Sequence, residues 1–542
     1  MVSSHLASSS FSTSASTSTR PPPTSSSSSA EDHPLPVLFE ATHSLRKVVL
    51  NRPKALNSLN DEMVDLIQPQ LETFEQSDLA NVVLIKSNSK HFCAGGDVVA
   101  LTKNLDNEKT WKNASEFFKK EYIMNHFLAT MSKPVVSIMH GVAFGGGLGL
   151  SMHGAFRVAT ETTQVAMPET KIGLFPDVGA NFFLPRLDGQ LGIYLALTAT
   201  PLKGAAAYVA GFTTHFVPSE RLERLEQRLA ELDATARVED VDHAISEFAA
   251  DEDELRRALE GYELVGSVRK ALDYVFSRPT AEDMMDALAE IEAGSIDPSK
   301  VVVVPSRGGS GSASPAPQEV EARELDKVKR WAGETRRQIE LRSPTSVKLA
   351  IKAIREGAKL NIEEVLAMDT RIAAACCSPA VHTDFRTGVT EFLIKKIKPE
   401  DEKPHWSPPT LADVTPESLQ RTFFSSPAPF ENPPVPTFNP RTATNKAKGN
   451  NTNKGVGQAE RLNPLPAYKV HPYAKFGLPT ERRIEQVVKG EAKDSGDYAL
   501  TRREVVERFV KLQPGKVGVR EKVEEVLDRR TVVADQDTLR WV

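Results

Sequence analysis

Apolar and polar positions alternate from Val37 to Leu50 (V-L-F-E-A-T-H-S-L-R-K-V-V-L) in a way that predicts a pair of strands, and the β-branched run N-V-V-L-I-K-S, Asn81 to Ser87, predicts another. Between them, L-N-D-E-M-V-D-L-I-Q-P-Q-L-E-T-F carries apolar residues at helical spacing behind Asn60, a residue suited to cap a helix. Strand, helix and strand in that order imply an α/β fold, a sheet packed by helices. P-V-V-S-I-M-H-G, Pro134 to Gly141, adds a buried strand, and the glycine-rich run behind it opens a helix.

From about Pro218 the pattern turns helical, with Leu at three- and four-residue intervals in S-E-R-L-E-R-L-E-Q-R-L-A-E-L after Ser219, and it stays so to about Ile397. The stretch P-S-R-G-G-S-G-S-A-S-P-A-P, near Pro305 to Pro317, interrupts it and reads as a disordered surface insertion. Ser425 to Pro466, Pro-rich and then Asn-, Lys- and Gly-rich, reads as a linker. Beyond it, Thr480 and the Thr501/Glu504 capping-box pair start two short amphipathic helices. Their apolar faces (Ile484, Val487, Val488; Val505, Val506, Phe509, Val510) need something to lie against.

The 542 residues, 40% of them hydrophobic, suffice for one large domain or two. Cys93 stands alone and Cys376 and Cys377 are adjacent, a pattern that builds neither a disulfide framework nor a metal site. The net charge of -5 hides an asymmetry: from Arg441 onward 21 Lys and Arg face 14 Asp and Glu, an excess of 7 positive charges. That excess permits an anionic partner, although the interspersed acids also fit a solvated helical face. No apolar run reaches the roughly 18 residues that span a bilayer. Met1 to Ala30 is dominated by Ser and Thr, contains Arg20 and has no acid before Glu31, the composition of a mitochondrial transit peptide or of plain disorder.

Candidate chemistry gathers in three places. H-F-C-A-G-G-D, His91 to Asp97, and F-G-G-G-L-G-L-S, Phe144 to Ser151, each follow a strand, and the second should offer free backbone N–H groups at a helix N-terminus. Their spacing fits neither dinucleotide nor P-loop patterns, and a glycine turn that only permits close packing is the alternative. In P-E-T-K-I-G-L-F-P-D-V-G, Pro168 to Gly179, the acids Glu169 and Asp177 sit among Ile172, Leu174, Phe175 and Val178. Acids in apolar company mark either a lined cleft with shifted ionisation or a structural ion pair. His140 and His153 flank the glycine run and read as structural, and no nucleophile elbow surrounds Ser151.

H-F-C-A-G-G-D-V, K-E-Y-I-M-N-H, H-G-V-A-F-G-G-G-L-G-L-S-M-H-G-A-F-R-V-A-T-E and M-P-E-T-K-I-G-L-F-P-D-V-G-A-N-F-F-L-P-R-L together resemble the crotonase (enoyl-CoA hydratase/isomerase) superfamily, and within it the 3-hydroxyisobutyryl-CoA hydrolases. The likeness runs from about Leu38 to about Phe424. It implies a crotonase-type core of stacked β-sheets with a C-terminal helical region, and an acyl-CoA substrate with no separate cofactor and no metal. It implies that Gly96 and Gly146 supply the two N–H donors that hold the thioester oxyanion. Hydratases of this family carry an acid where this chain has Gly149, so hydration is disfavoured. The resemblance gives catalysis to Glu169, as general base or as nucleophile, and to Asp177, and it places Glu121 with Gly146, Glu169 and Asp177 against the substrate; an exposed helix residue is the alternative for Glu121.

Near the C-terminal end of the likeness, D-F-R-T-G-V-T-E-F-L-I-K-K, Asp384 to Lys396, departs from the family, with Thr387 where an acid is usual and Thr390-Glu391 where Arg-Ala is usual. The division that follows is a leader over 1–33, a core with the site over 34–217, and a helical region over 218–424 with a disordered insertion at about 298–322. A linker over 425–466 and a basic helical tail over 467–542 complete it. Some fungal relatives of the hydrolases belong to the small subunit of the mitochondrial ribosome, so the tail is expected to suit docking there, with no DNA partner and no membrane span.

Overall fold

The computed structural model describes residues 34–105, 110–303, 317–398, 404–425, 467–493, 495–496, 498–534 and 537–542. The expected leader and almost all of the expected linker lie outside them. Asn60 caps the first long helix, Asp61–Gln76, by accepting from the Met63 N–H at 3.1 Å, and the helix buries Met63, Val64, Ile67, Leu71 and Phe74 along one face.

The main sheet has the strands β1 (Val37–Thr42), β2 (Leu45–Leu50), β3 (Val82–Ser87), β4 (Val135–Ile138), β6 (Phe156–Ala159) and β9 (His215–Phe216) in spatial order. β1 and β2 form an antiparallel hairpin with Val37 opposite Leu50; every other pairing is parallel. β5 (Val142–Phe144), β7 (Gln164–Ala166) and β8 (Leu202–Lys203) form a second, three-stranded sheet. Between β4 and β9 the chain therefore steps back and forth between two sheets. Fully buried strands such as β4 and β6, with apolar residues on both faces, follow from that sandwiching.

The helical region begins at Leu222–Glu231 and includes Gly266–Phe276, Ala281–Ala293, Pro317–Glu340, Pro344–Gly357 and Ile362–Cys377. Both ends of the interval 298–322, expected as a disordered insertion, are ordered: Val301 and Val302 are buried in the main core, and the helix Pro317–Glu340 starts within the interval. Residues 304–316 lie outside the described residues.

The apolar faces of the C-terminal segment lie against the chain's own body. Ile484, Val487, Val505, Val506 and Phe509 join Val523, Val526 and Leu527 of a third helix, Val519–Arg530, in a cluster that also holds Ala205, Tyr208, Phe216 and Leu255. A short hairpin, β10 (Thr531–Val533) with β11 (Leu539–Trp541), closes it. Its cations are drawn inward as well. Lys522 meets Asp188 at 2.7 Å, and Arg529, with 1% of its side chain exposed, binds Glu481 at 2.9 Å and Glu525 at 2.7 Å. Arg530 reaches Asp273 at 2.7 Å and Glu481 at 2.6 Å. Part of the basic excess seen in the sequence is thus neutralised by acids of the body. Among the described residues no helix is long and apolar enough to cross a membrane.

Candidate active site

The segment containing Cys93 pairs in parallel with β5 through Cys93 and Ala143, and Gly96 pairs with Leu59, which lays the first glycine cluster beside the second. The chain leaves β5 through Gly145, whose φ of +45° and ψ of -115° suit glycine, and Gly146 then begins the helix Gly146–Ser151. A Cβ built on Gly146 would lie 3.3 Å from the Gly96 nitrogen, so the two expected donors share one wall. Neither N–H donates to a backbone carbonyl among the described residues. A pair of unspent N–H groups this close, one at a helix N-terminus, is a seat for an oxyanion, each donor worth about 3 to 4 kcal/mol in a transition state.

Three carboxyl groups line that wall. Glu121 comes from the helix Trp111–Thr130, is 1% exposed, and its Oε1 would collide with a Cβ on Gly146. Glu169 opens the 3₁₀ turn Glu169–Ile172 behind β7, with Oε1 2.5 Å from where a Cβ on Gly145 would be. Glu121 Oε1 and Glu169 Oε2 have no hydrogen-bond partner among the described residues. Asp177, buried on the following loop, accepts from the Tyr122 hydroxyl at 2.6 Å. The sequence-based alternative of an exposed Glu121 is excluded by its burial.

Burial is the main cause of the electrostatics. It pushes the Glu169 carboxyl well above the ordinary glutamate range, with Asp177 and then Glu121 adding repulsion. Glu121 is raised by burial and by Asp177. Asp177 is pushed up to about 7 by burial, against the Tyr122 hydrogen bond, which favours its anion. All three carboxyls are thus shifted toward their protonated forms.

The Asp177 loop is held in a costly shape. Val178, a β-branched residue, has φ of +52°, and Gly179 follows at +79°. His153 donates from Nε2 to the Val178 carbonyl at 2.8 Å, its imidazole pushed by burial down to about 4 and hence neutral. Asp369, from the helix Ile362–Cys377, accepts from the Gly179 N–H at 2.9 Å and the Asn181 side chain at 2.7 Å. The segment that departs from the family pattern, Asp384 to Lys396, packs against the Glu169 turn. Asp384 accepts from the Ser343 hydroxyl at 2.6 Å, and Cβ atoms on Gly173 or Gly388 would strike the Asp384 and Ile172 backbones.

Tyr122, Asn125 and Asp369 were not picked out from the sequence. Tyr122 and Asn125 stand in the quoted K-E-Y-I-M-N-H, next to Glu121 and one turn beyond it, so helical spacing was the available signal; Asp369 had none locally. Other nucleophile candidates are occupied or silenced. The Ser151 hydroxyl donates to the Gly147 carbonyl at 3.0 Å, the Cys93 thiol is buried and pushed up to about 12, and His140 pairs with the Thr160 hydroxyl. Gly149 is hemmed in: a Cβ there would lie 2.9 Å from both Asn125 Nδ2 and Val178 Cβ, so an acid could not be accommodated without movement.

Comparison with known proteins places this geometry. A family model described as enoyl-CoA hydratase/isomerase matches residues 45–302 and 310–423. The small ribosomal subunit protein mS47 of Neurospora crassa is 36% identical over 510 residues, covering 92% of this chain and 86% of that one. The mitochondrial 3-hydroxyisobutyryl-CoA hydrolase of Homo sapiens is 36% identical over 391 residues, covering 72% and 88%. Among solved structures, a carnitinyl-CoA dehydratase from Mycobacterium thermoresistibile is similar at 30% identity and a TM-score of 0.57, over 75% of this chain and 99% of that one.

Proposed function

This chain belongs to the enoyl-CoA hydratase/isomerase family, and from that premise we propose that it hydrolyses 3-hydroxyisobutyryl-CoA to 3-hydroxyisobutyrate and CoA in the mitochondrial matrix. The carrying observation is the unpartnered, buried Glu169 carboxyl beside the paired Gly96 and Gly146 amides. The thioester carbonyl oxygen sits between those amides. Glu169, as carboxylate, either takes a proton from water as its oxygen adds to the carbonyl carbon, or adds itself to give an anhydride that water then opens. In the first route the oxyanion collapses, the C–S bond breaks and the thiolate takes the proton that Glu169 removed from water; in the second the thiolate leaves as the anhydride forms, and the water that opens the anhydride restores the Glu169 carboxylate and supplies the proton that ends on the thiol. Asp177, oriented by Tyr122, aligns the water or the substrate hydroxyl. Hydration is disfavoured because Gly149, crowded by Asn125 and Val178, supplies no second acid. The test is CoA release from 3-hydroxyisobutyryl-CoA beside hydration of crotonyl-CoA; hydration alone would overturn the proposal.

A second reading rests on the ribosomal relative, which matches over 92% of this chain where the human hydrolase matches over 72%. On it, the chain is a component of the mitochondrial small ribosomal subunit and keeps or reduces hydrolase activity. Sedimentation of mitochondrial lysate tests it: co-migration with the small subunit at low salt supports it, and a protein that stays at the top of the gradient removes it.

A further inference from the structure

Asn125 lies one helical turn beyond Glu121 on the helix Trp111–Thr130 and is fully buried. Neither its Oδ1 nor its Nδ2 has a hydrogen-bond partner among the described residues. A carboxamide buried with both ends unpaired is a standing cost that a native fold keeps when the partner arrives with a ligand. Its position supplies the rest. The amide lies against Gly149, 2.9 Å and 3.1 Å from where a Cβ would be, just as Glu121 lies against Gly146 and Glu169 against Gly145. Three side chains with unpaired polar atoms thus lean on the one segment Gly145 to Gly149, and Asn125 is the deepest along it.

We propose that Asn125 determines specificity for the acyl group by exchanging hydrogen bonds with a hydroxyl on the carbon two removed from the thioester carbonyl. A hydroxyl both donates and accepts, and the carboxamide offers an acceptor and a donor side by side. Gly149 is three residues along the helix from Gly146, roughly 4.5 Å at 1.5 Å per residue, the reach from the thioester oxygen to such a hydroxyl. This rests on the hydrolase reading and adds the residue that selects a hydroxyacyl over a plain acyl substrate.

The experiment uses the full chain and ketone analogues of 3-hydroxyisobutyryl-CoA and isobutyryl-CoA, with CH₂ in place of sulfur so that nothing is cleaved. Calorimetry should show the wild type preferring the hydroxy analogue by about 10- to 100-fold, the effect of leaving a buried polar partner unsatisfied in the deoxy complex. Asn125→Leu should bring the preference within about twofold while leaving the deoxy analogue within about threefold of wild type. Asn125→Ala, which is smaller than Asn and has no polar side-chain atom, gives the same comparison if the leucine variant melts early. The inference is overturned if the wild type binds both analogues equally or not at all, or if the variants weaken both to the same degree, the mark of a structural role. CoA release from the true thioesters is measured alongside. A wild type that discriminates between the analogues but releases no CoA overturns the hydrolase reading and leaves the assignment of Asn125 standing.

Discussion

The Tyr122 hydroxyl donates to Asp177 Oδ2 at 2.6 Å with both side chains buried, and with a backbone hydrogen bond it keeps the acid that burial pushes up to about 7 from rising further. Tyr122→Phe removes that donor and leaves the burial. Asp177 should then hold its proton to higher pH, and the acid limb of kcat/KM should move upward. At pH 7 we expect a loss of about 10-fold, the low end of what a positioned acid or base group contributes, recovering in part above pH 8. A pH–rate profile that falls uniformly without moving would show that Tyr122 serves packing alone.

Glu169→Gln should lower CoA release by about 10²- to 10⁴-fold, the usual contribution of a positioned acid or base. It should also change stability in a pH-dependent way. The folded-state pKa of Glu169 is raised above the ordinary value of 4.5, so its contribution is fully present below that value and is lost as pH rises through the folded-state value. Glutamine does not titrate. The variant's melting temperature should therefore gain on wild type between pH 5 and pH 9, and a constant difference across that range would mean that Glu169 is not carried neutral into the fold.

Gly146→Ala introduces a Cβ onto Glu121 Oε1 in the wall that seats the oxyanion. The strain of overpacking is about 1 to 3 kcal/mol, while the misplaced amide should cost about 10²-fold or more in kcat. Circular dichroism melting beside the CoA assay separates the two. Activity retained within threefold would place the oxyanion elsewhere.

What the sequence disclosed and what it hid follow from the range of the interactions. Asn60, Thr480 and the Thr501/Glu504 box were legible because a cap satisfies backbone groups two or three residues away. Glu169 and Asp177 were legible because their apolar neighbours are adjacent in the chain. Tyr122 and Asn125 were passed over because a polar residue in K-E-Y-I-M-N-H reads as the wet side of a helix until a second wall is known to cover it. Asp369 reaches the site loop from 190 residues away, and no local pattern announces that. The helix Val519–Arg530 was missed for a different reason: Val519, Val523, Val526 and Leu527 keep helical spacing but are diluted by charge. Those charges make sense only beside Asp188 and Asp273, which belong to the body.

The same long-range pairing decides how the C-terminal segment should be tested. Arg529 is enclosed by Glu481, Glu525 and Asp273, and truncating it leaves Arg530 alone to balance the buried Glu481 and Asp273 and leaves Glu525 without its cation, and breaking a buried ion-pair network in this way typically costs about 3 to 5 kcal/mol. Arg503, by contrast, is 84% exposed in its side chain and meets Glu507 at 3.7 Å. Arg503→Ala should change stability by no more than about 0.5 kcal/mol, as exposed pairs do. Urea unfolding of the two variants should show a large drop in midpoint for Arg529→Ala and almost none for Arg503→Ala. In the gradient assay, only the Arg503 variant then reports on docking. Association lost with Arg529→Ala reflects an unfolded segment, whereas association lost with Arg503→Ala, at unchanged stability, locates an anionic partner on this face. Equal midpoints for the two variants would mean that the C-terminal segment does not pack against the body through this network.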